Sequence, residues 1–128
     1  MLADCQPEWA WVTFTGFVDK PTLYELYSIS DIGVLPSLHE EFGFVALEMM
    51  MLEVPLIVGE TTGLSGLMVP NKTGVLVKWG EEESKNINHL AEAIAWFIEN
   101  PEQCQEYARW GRERYRSKYD ISLLKNKC

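Results

Sequence analysis

Two glutamates, Glu40 and Glu48, stand eight positions apart, separated by Glu41-Phe42-Gly43-Phe44-Val45-Ala46-Leu47. A carboxylate accepts two hydrogen bonds at once, so it suits a vicinal diol such as the 2′,3′-diol of a ribose. It does not suit a phosphate, whose like charge it repels. A phosphate would go instead to the unpaired N–H groups where a helix begins, at the favourable end of its dipole. Gly43 would let a ligand approach that backbone closely. Glu40, just ahead of the helix, would lie nearer a second hydroxylated group. The local chemistry fits a molecule carrying a diol, a phosphate and further hydroxyls, and a nucleotide sugar has all three. Acids near helix starts also occur without any ligand, and Glu41 reads as a solvated first-turn acid.

The surrounding elements explain why this pair sits at a binding position. Asp31-Ile32-Gly33-Val34-Leu35 reads as a short buried strand ending in a turn at Pro36-Ser37. The helix that follows, Gly43 to about Leu52, is apolar nearly all round except for Glu48. Such a helix is buried, so its lone carboxylate needs a partner. The glutamates therefore bracket a helix start at the carboxyl end of a strand, where open α/β sheets bind ligands.

Upstream, Trp9 to Val18 is rich in aromatic and β-branched residues and is expected to be a strand. A helix opens at Pro21 or Thr22, with Thr22 and Glu25 fitting a capping box. Pro55 to Gly59 is a continuous apolar strand of the parallel-sheet kind, and Gly74 to Lys78 is another. A turn-rich stretch, Glu60 to Thr73, lies between them. After a polar loop over Glu81 to Ser84, a helix is expected from about Ile87 to Glu99, with Leu90, Ala91, Ile94, Phe97 and Ile98 inward. Asn100-Pro101 ends that helix and caps the next, which runs to about Ser117. Strands alternating with helices imply a parallel sheet with crossover helices.

Composition narrows the function classes. At 128 residues and 47% apolar, the chain is long and apolar enough for one domain with a core. A net charge of −8 argues against a nucleic-acid partner. No apolar run approaches the ~20 residues that span a bilayer, and the first residues do not resemble a signal peptide. Cys5, Cys104 and Cys128 have no metal-ligand spacing and read as free thiols of a reducing cytoplasm. Seven of the eleven cations lie in the last twenty residues, and no Lys or Arg occurs between Lys20 and Lys72. An anionic ligand at the glutamates must then find its cations elsewhere. The basic tail reads as a solvated helix face. His39 reads as a surface-loop histidine, the Met49-Met50-Met51 run as core packing, and Trp96 and Trp110 as core residues. Trp9 and Trp11 would share one face of their strand.

Pro36-Ser37-Leu38-His39-Glu40-Glu41-Phe42-Gly43-Phe44-Val45-Ala46-Leu47-Glu48 resembles the E-x(7)-E motif of the retaining GT-B glycosyltransferases, the family called glycosyl transferases group 1. Phe14-Thr15-Gly16 with Leu23 and Tyr27, Pro55-Leu56-Ile57-Val58 with Gly63-Leu64, and Asn71-Lys72-Thr73-Gly74-Val75-Leu76-Val77 resemble further elements of that family in the same order. Gly66 departs from the pattern, standing where the family often has a glutamate.

The resemblance implies transfer of a sugar from a nucleotide-diphosphate sugar to a glycan, lipid or small-molecule acceptor, with retention and without a metal or other cofactor. It implies that Glu48 binds the donor ribose and Glu40 the donor sugar. Backbone around Phe42, Gly43, Phe44 and Val45 would line the sugar and diphosphate, and Val18 would lie near the base. It also implies a single partial nucleotide-sugar-binding domain over residues 1–128, the incomplete C-terminal half of a GT-B fold. The acceptor domain would be supplied in cis or in trans. The implied location is cytoplasmic, either free or peripheral to a membrane. A non-catalytic donor-binding subunit needing a separate partner chain is the alternative. In the family's sheet order, 3-2-1-4-5-6, Trp9 to Val18 would be the third strand and Asp31 to Leu35 the fourth. The first and second strands would lie between them. Without those, the two expected strands must leave exposed edges or pair directly.

Overall fold

The computed structural model describes residues 10–36, 44–60, 72–78 and 80–118. Its elements follow as α1 (Lys20–Ser28), β1 (Gly33–Leu35), α2 (Phe44–Met51), β2 (Leu56–Gly59), β3 (Val75–Val77), α3 (Glu83–Glu99) and α4 (Pro101–Lys118). The three strands form a parallel sheet in the order β1-β2-β3. This is the expected α/β architecture, a parallel sheet with crossover helices.

Register and side-chain alternation build a core on each face. Val34, Ile57 and Val75 are aligned across the sheet. They face a core of Phe97, Ala93, Cys104 and Tyr107 from α3 and α4. One residue further on, Leu35, Val58 and Leu76 are aligned. These face Tyr27 of α1 and Ala46, Met49 and Met50 of α2. All of β2 is buried, as its unbroken apolar run requires when both faces of the sheet are covered.

At Gly33 the side chain of Met49 on α2 presses close to β1. A Cβ there would lie 2.6 Å from Met49 Sδ and 3.2 Å from Val54 Cγ1. α2 then ends in a left-handed turn. Glu53, at φ 59°, is followed by Val54, whose N–H reaches Met49 O at 2.9 Å, while the Glu53 N–H reaches Met50 O at 3.1 Å. That pattern is a Schellman cap, and Val54 packing beside Met49 completes it.

Several expectations need correction. Residues 10–18 form no strand: Ala10 and Trp11 make a short 3₁₀ turn and the rest is irregular. Trp11 is 91% exposed and Phe17 99%. Among the described residues no strand lies beside this segment, so its backbone gains nothing from an extended ladder. Gly16, at φ 64°, also bends it through the left-handed region that favours glycine.

The cap of α1 is Asp19, whose carboxylate accepts from the Thr22 N–H at 3.0 Å, so Thr22 is not the cap. That hydrogen bonding holds the Asp19 carboxyl below its usual range. α3 begins at Glu83, with an acid in its first turn favoured by the dipole. The Asn86 side chain clamps both the N–H and the C=O of Gly80 just before it. On α3 the buried positions are Ala93 and Phe97. Ala91 and Ile98 are exposed, because β3 and α4 cover a narrower stripe than the apolar residues could fill. Trp96 is at the edge of the core, 36% exposed, its ring tilted against Phe97 and Tyr107. Trp110 is partly buried beside Tyr107. Met49 and Met50 are core residues, as expected.

Candidate donor site

The described site residues occupy two helix starts. Val18 is half-buried immediately before the α1 cap. Phe44 and Val45 are the first two residues of α2 and are exposed. Glu48 follows one turn later on the same helix. α1 leads into β1 and α2 leads out of it, so in a parallel α/β layer both helices start at the carboxyl ends of the strands. Glu40, Phe42, Gly43 and His39 lie outside the described residues.

Glu48 is the one charged residue of α2, whose other members are all apolar. Its side chain is only 18% exposed. Oε1 lies 3.6 Å from Lys20 Nζ, at the first position of α1. Oε2 is buried with no hydrogen-bond partner among the described residues. A buried carboxylate oxygen without a donor costs desolvation energy that is not recovered by the fold. The Tyr27 phenol is held above its usual range, first by burial and then by the charge of Glu48. The arrangement offers a hydrogen-bond acceptor beside an apolar floor, and one cation at its rim.

Nothing in the local spacing pairs Lys20 with Glu48, which lie 28 residues apart on different helices. The sequence does carry one signal: a cation in the first turn of α1, where no acid stands and where the dipole disfavours positive charge.

Other concave surfaces lie elsewhere. A cleft of about 330 Å³ runs between β3 and α3, lined by Val77, Lys78, His89 and Glu92. Another, of about 380 Å³, is lined by Lys72, Trp110, Glu113 and Arg114, with Lys72 Nζ 5.8 Å from the Trp110 ring centroid. Neither includes Glu48, so the candidate site is assigned by its chemistry rather than by its depth. Among the described residues no cluster of His, Cys, Asp and Glu could hold a metal. Cys104 is free and buried, its thiol pushed up by burial and by the charge of Asp31. No helix among the described residues is long and apolar enough to cross a membrane.

A parallel sheet with helices on both faces, and a carboxylate at the helix starts beyond its carboxyl edge, defines a Rossmann-like α/β protein. The chain belongs to the glycosyl transferases group 1 family, whose profile matches residues 9–114. It is 33% identical to a glycogen synthase of Mycobacterium tuberculosis over 107 residues, which are 84% of this chain and 25% of that protein. Its fold superposes on sucrose-phosphate synthase from Thermosynechococcus elongatus with a TM-score of 0.80 and 29% identity, covering 96% of this chain and 30% of that one. Anabaena HepE, solved in complex with UDP-glucose, superposes with a TM-score of 0.70 at 23% identity, over 80% of this chain and 27% of that one. These neighbours are GT-B glycosyltransferases, and the fold is that of part of the C-terminal, Rossmann-like half. The chain spans about a quarter of the length of the curated relatives it matches.

Proposed function

We propose that these 128 residues are the donor-binding segment of a retaining glycosyltransferase that uses a nucleotide-diphosphate sugar. The observation that carries this reading is the Glu48 carboxylate, set into an otherwise apolar helix with Oε2 buried and unpartnered among the described residues. A ribose diol supplies O–H donors that such a carboxylate can accept. The E-x(7)-E motif then gives Glu40 the donor sugar and the backbone of Phe42 to Val45 the sugar and diphosphate, and the family resemblance places Val18 near the base. The Anabaena neighbour's complex with UDP-glucose supports a nucleotide sugar as the ligand class. The reaction needs no metal or other cofactor in this reading. Acceptor binding falls to the acceptor domain, in cis or in trans, so the isolated chain binds donor without transferring its sugar.

The reading is tested by titrating UDP-glucose, ADP-glucose and GDP-mannose onto the 128-residue chain and its Glu48→Ala variant by ligand-observed NMR. Loss of a bidentate charged hydrogen bond should weaken the preferred donor at least ~10-fold. Unchanged affinity in Glu48→Ala would refute the ribose assignment, and robust sugar transfer by the isolated chain would refute the division of labour.

A further inference from the structure

We propose that Lys20 is a positioning residue for the donor. Its ammonium holds Glu48 and supplies the positive charge that lets an anionic ligand approach that carboxylate. The proposal rests on the ribose reading of Glu48 given above and adds a residue that the E-x(7)-E motif does not contain.

Four observations converge on it. Lys20 is the first residue of α1 and its ammonium reaches across to α2, 3.6 Å from Glu48 Oε1. The position opposes the helix dipole, so local helix energetics do not favour a cation there. The Lys20 side chain is 73% exposed, and an ion pair with one partner so open to solvent contributes little to folding, so stability does not account for it either. Finally, the sequence between Lys20 and Lys72 holds no other Lys or Arg, so no nearer position in the chain duplicates this cation.

The electrostatic need is specific. A carboxylate that accepts from a ribose must tolerate a diphosphate a few bonds away on the same ligand. One Glu48 oxygen, Oε2, lacks a donor among the described residues, and the charge of Glu48 adds to burial in holding up the neighbouring Tyr27 phenol. Lys20 cancels that charge toward the ligand side while leaving the carboxylate its acceptor capacity, because each carboxylate oxygen has two lone-pair sites. The ammonium's freedom in solvent also lets it turn toward a phosphate once the ligand is seated.

The test compares charged and uncharged versions of one ligand. Among UDP, ADP and GDP, the nucleotide that binds the chain most tightly is taken at millimolar concentration, together with its nucleoside and its 2′-deoxy diphosphate. Lys20→Met should weaken the diphosphate roughly fivefold, the size expected for one solvent-exposed charge pair, and weaken the nucleoside less. Lys20→Arg should restore the diphosphate, and 1 M salt should erase most of the deficit. An unaffected diphosphate, or equal losses for diphosphate and nucleoside, would overturn the proposal. Glu48→Ala separates the two layers. If it keeps the preference for the ribo over the 2′-deoxy diphosphate, the ribose reading fails and Lys20 with it. If it loses that preference while Lys20→Met is silent, the Lys20 proposal alone fails.

Discussion

Strand β2 lies in the middle of the sheet with Leu56, Ile57 and Val58 all at 1% exposure or less, while Trp11, Phe14 and Phe17 stand 74–99% exposed in a segment that forms no strand. The two stretches are similarly apolar, and residues 10–18 have the stronger aromatic and β-branched content. What separates them is neighbours. β2 has a hydrogen-bonded strand on each side and a helix layer on each face. Residues 10–18 have no strand beside them among the described residues. Fixing a residue in extended form costs about 1–2 kcal/mol of backbone entropy. Only ladder hydrogen bonds and burial on a pleated surface repay that cost, which is why strand propensity measures fit to a partner more than backbone preference.

The sharpest way to break this comparison is to truncate one residue from each side of it. Ile57→Ala should destabilise the chain by about 2–5 kcal/mol, the cost of an aliphatic deletion in a core that cannot collapse onto the gap. Phe17→Ala should change stability by less than about 0.5 kcal/mol, as exposed positions do. Urea denaturation of both variants measures the difference. If Phe17→Ala proves as costly as Ile57→Ala, residues 10–18 are docked in solution and the contrast disappears.

A smaller effect sharpens the role of β1, whose Gly33 meets Met49 of α2. Gly33→Ala puts a methyl group 2.6 Å from Met49 Sδ and 3.2 Å from Val54 Cγ1. Met49 is flexible and yields part of the space, but Val54 is β-branched and follows a fixed turn. The expected cost is about 1–3 kcal/mol, with Gly33→Val worse. A neutral Gly33→Ala would show that α2 can slide on β1. The placement of Glu48 would then owe less to packing than to its pairing with Lys20.

These contrasts also mark what was legible in the residues alone. β2 was legible because three consecutive apolar residues, Leu56 to Val58, bounded by Pro55 and Gly59 have few alternatives. The break at Asn100-Pro101 was legible because proline cannot continue a helix but can begin one. Helix α2 and its isolated glutamate were legible because the run is apolar nearly all round apart from Glu48. The cap of α1 was missed because Asp19 and Thr22 are both good cap residues. The choice rested on which residue opened the helix, and that was Lys20 rather than Pro21 or Thr22. The inner face of α3 was read too broadly, since the width of an apolar stripe says nothing about how much of it a three-stranded sheet can cover. Two further features depended on partners that are distant in sequence: the fate of residues 10–18 and the Lys20–Glu48 pair. Of the candidate site, Glu48 was legible as a buried acid in want of a partner, but the identity of that partner was not.

The smallest expected effect concerns the turn that delivers the chain into β2. Glu53 holds φ 59° at the end of α2, where its backbone N–H and that of Val54 close the Schellman cap. A residue with a Cβ is strained there by about 1 kcal/mol or more, and glycine is not. Glycine also enlarges the entropy of the unfolded chain, which returns part of the gain. The net expectation for Glu53→Gly is a stabilisation of about 0.5 kcal/mol, or roughly 2 °C in Tm. Because Glu53 is exposed and no ion pair of its side chain occurs among the described residues, removing the carboxylate should contribute little. Glu53→Ala, which keeps the Cβ and loses the charge, isolates that contribution. If alanine leaves Tm in place and glycine raises it, the strain lies in the backbone, and β2 is held in register by a turn that its neighbours oblige to form against the preference of its own residue. If glycine lowers Tm, the left-handed turn is not what anchors the entry to β2, and the buried strand owes its place to the two cores alone.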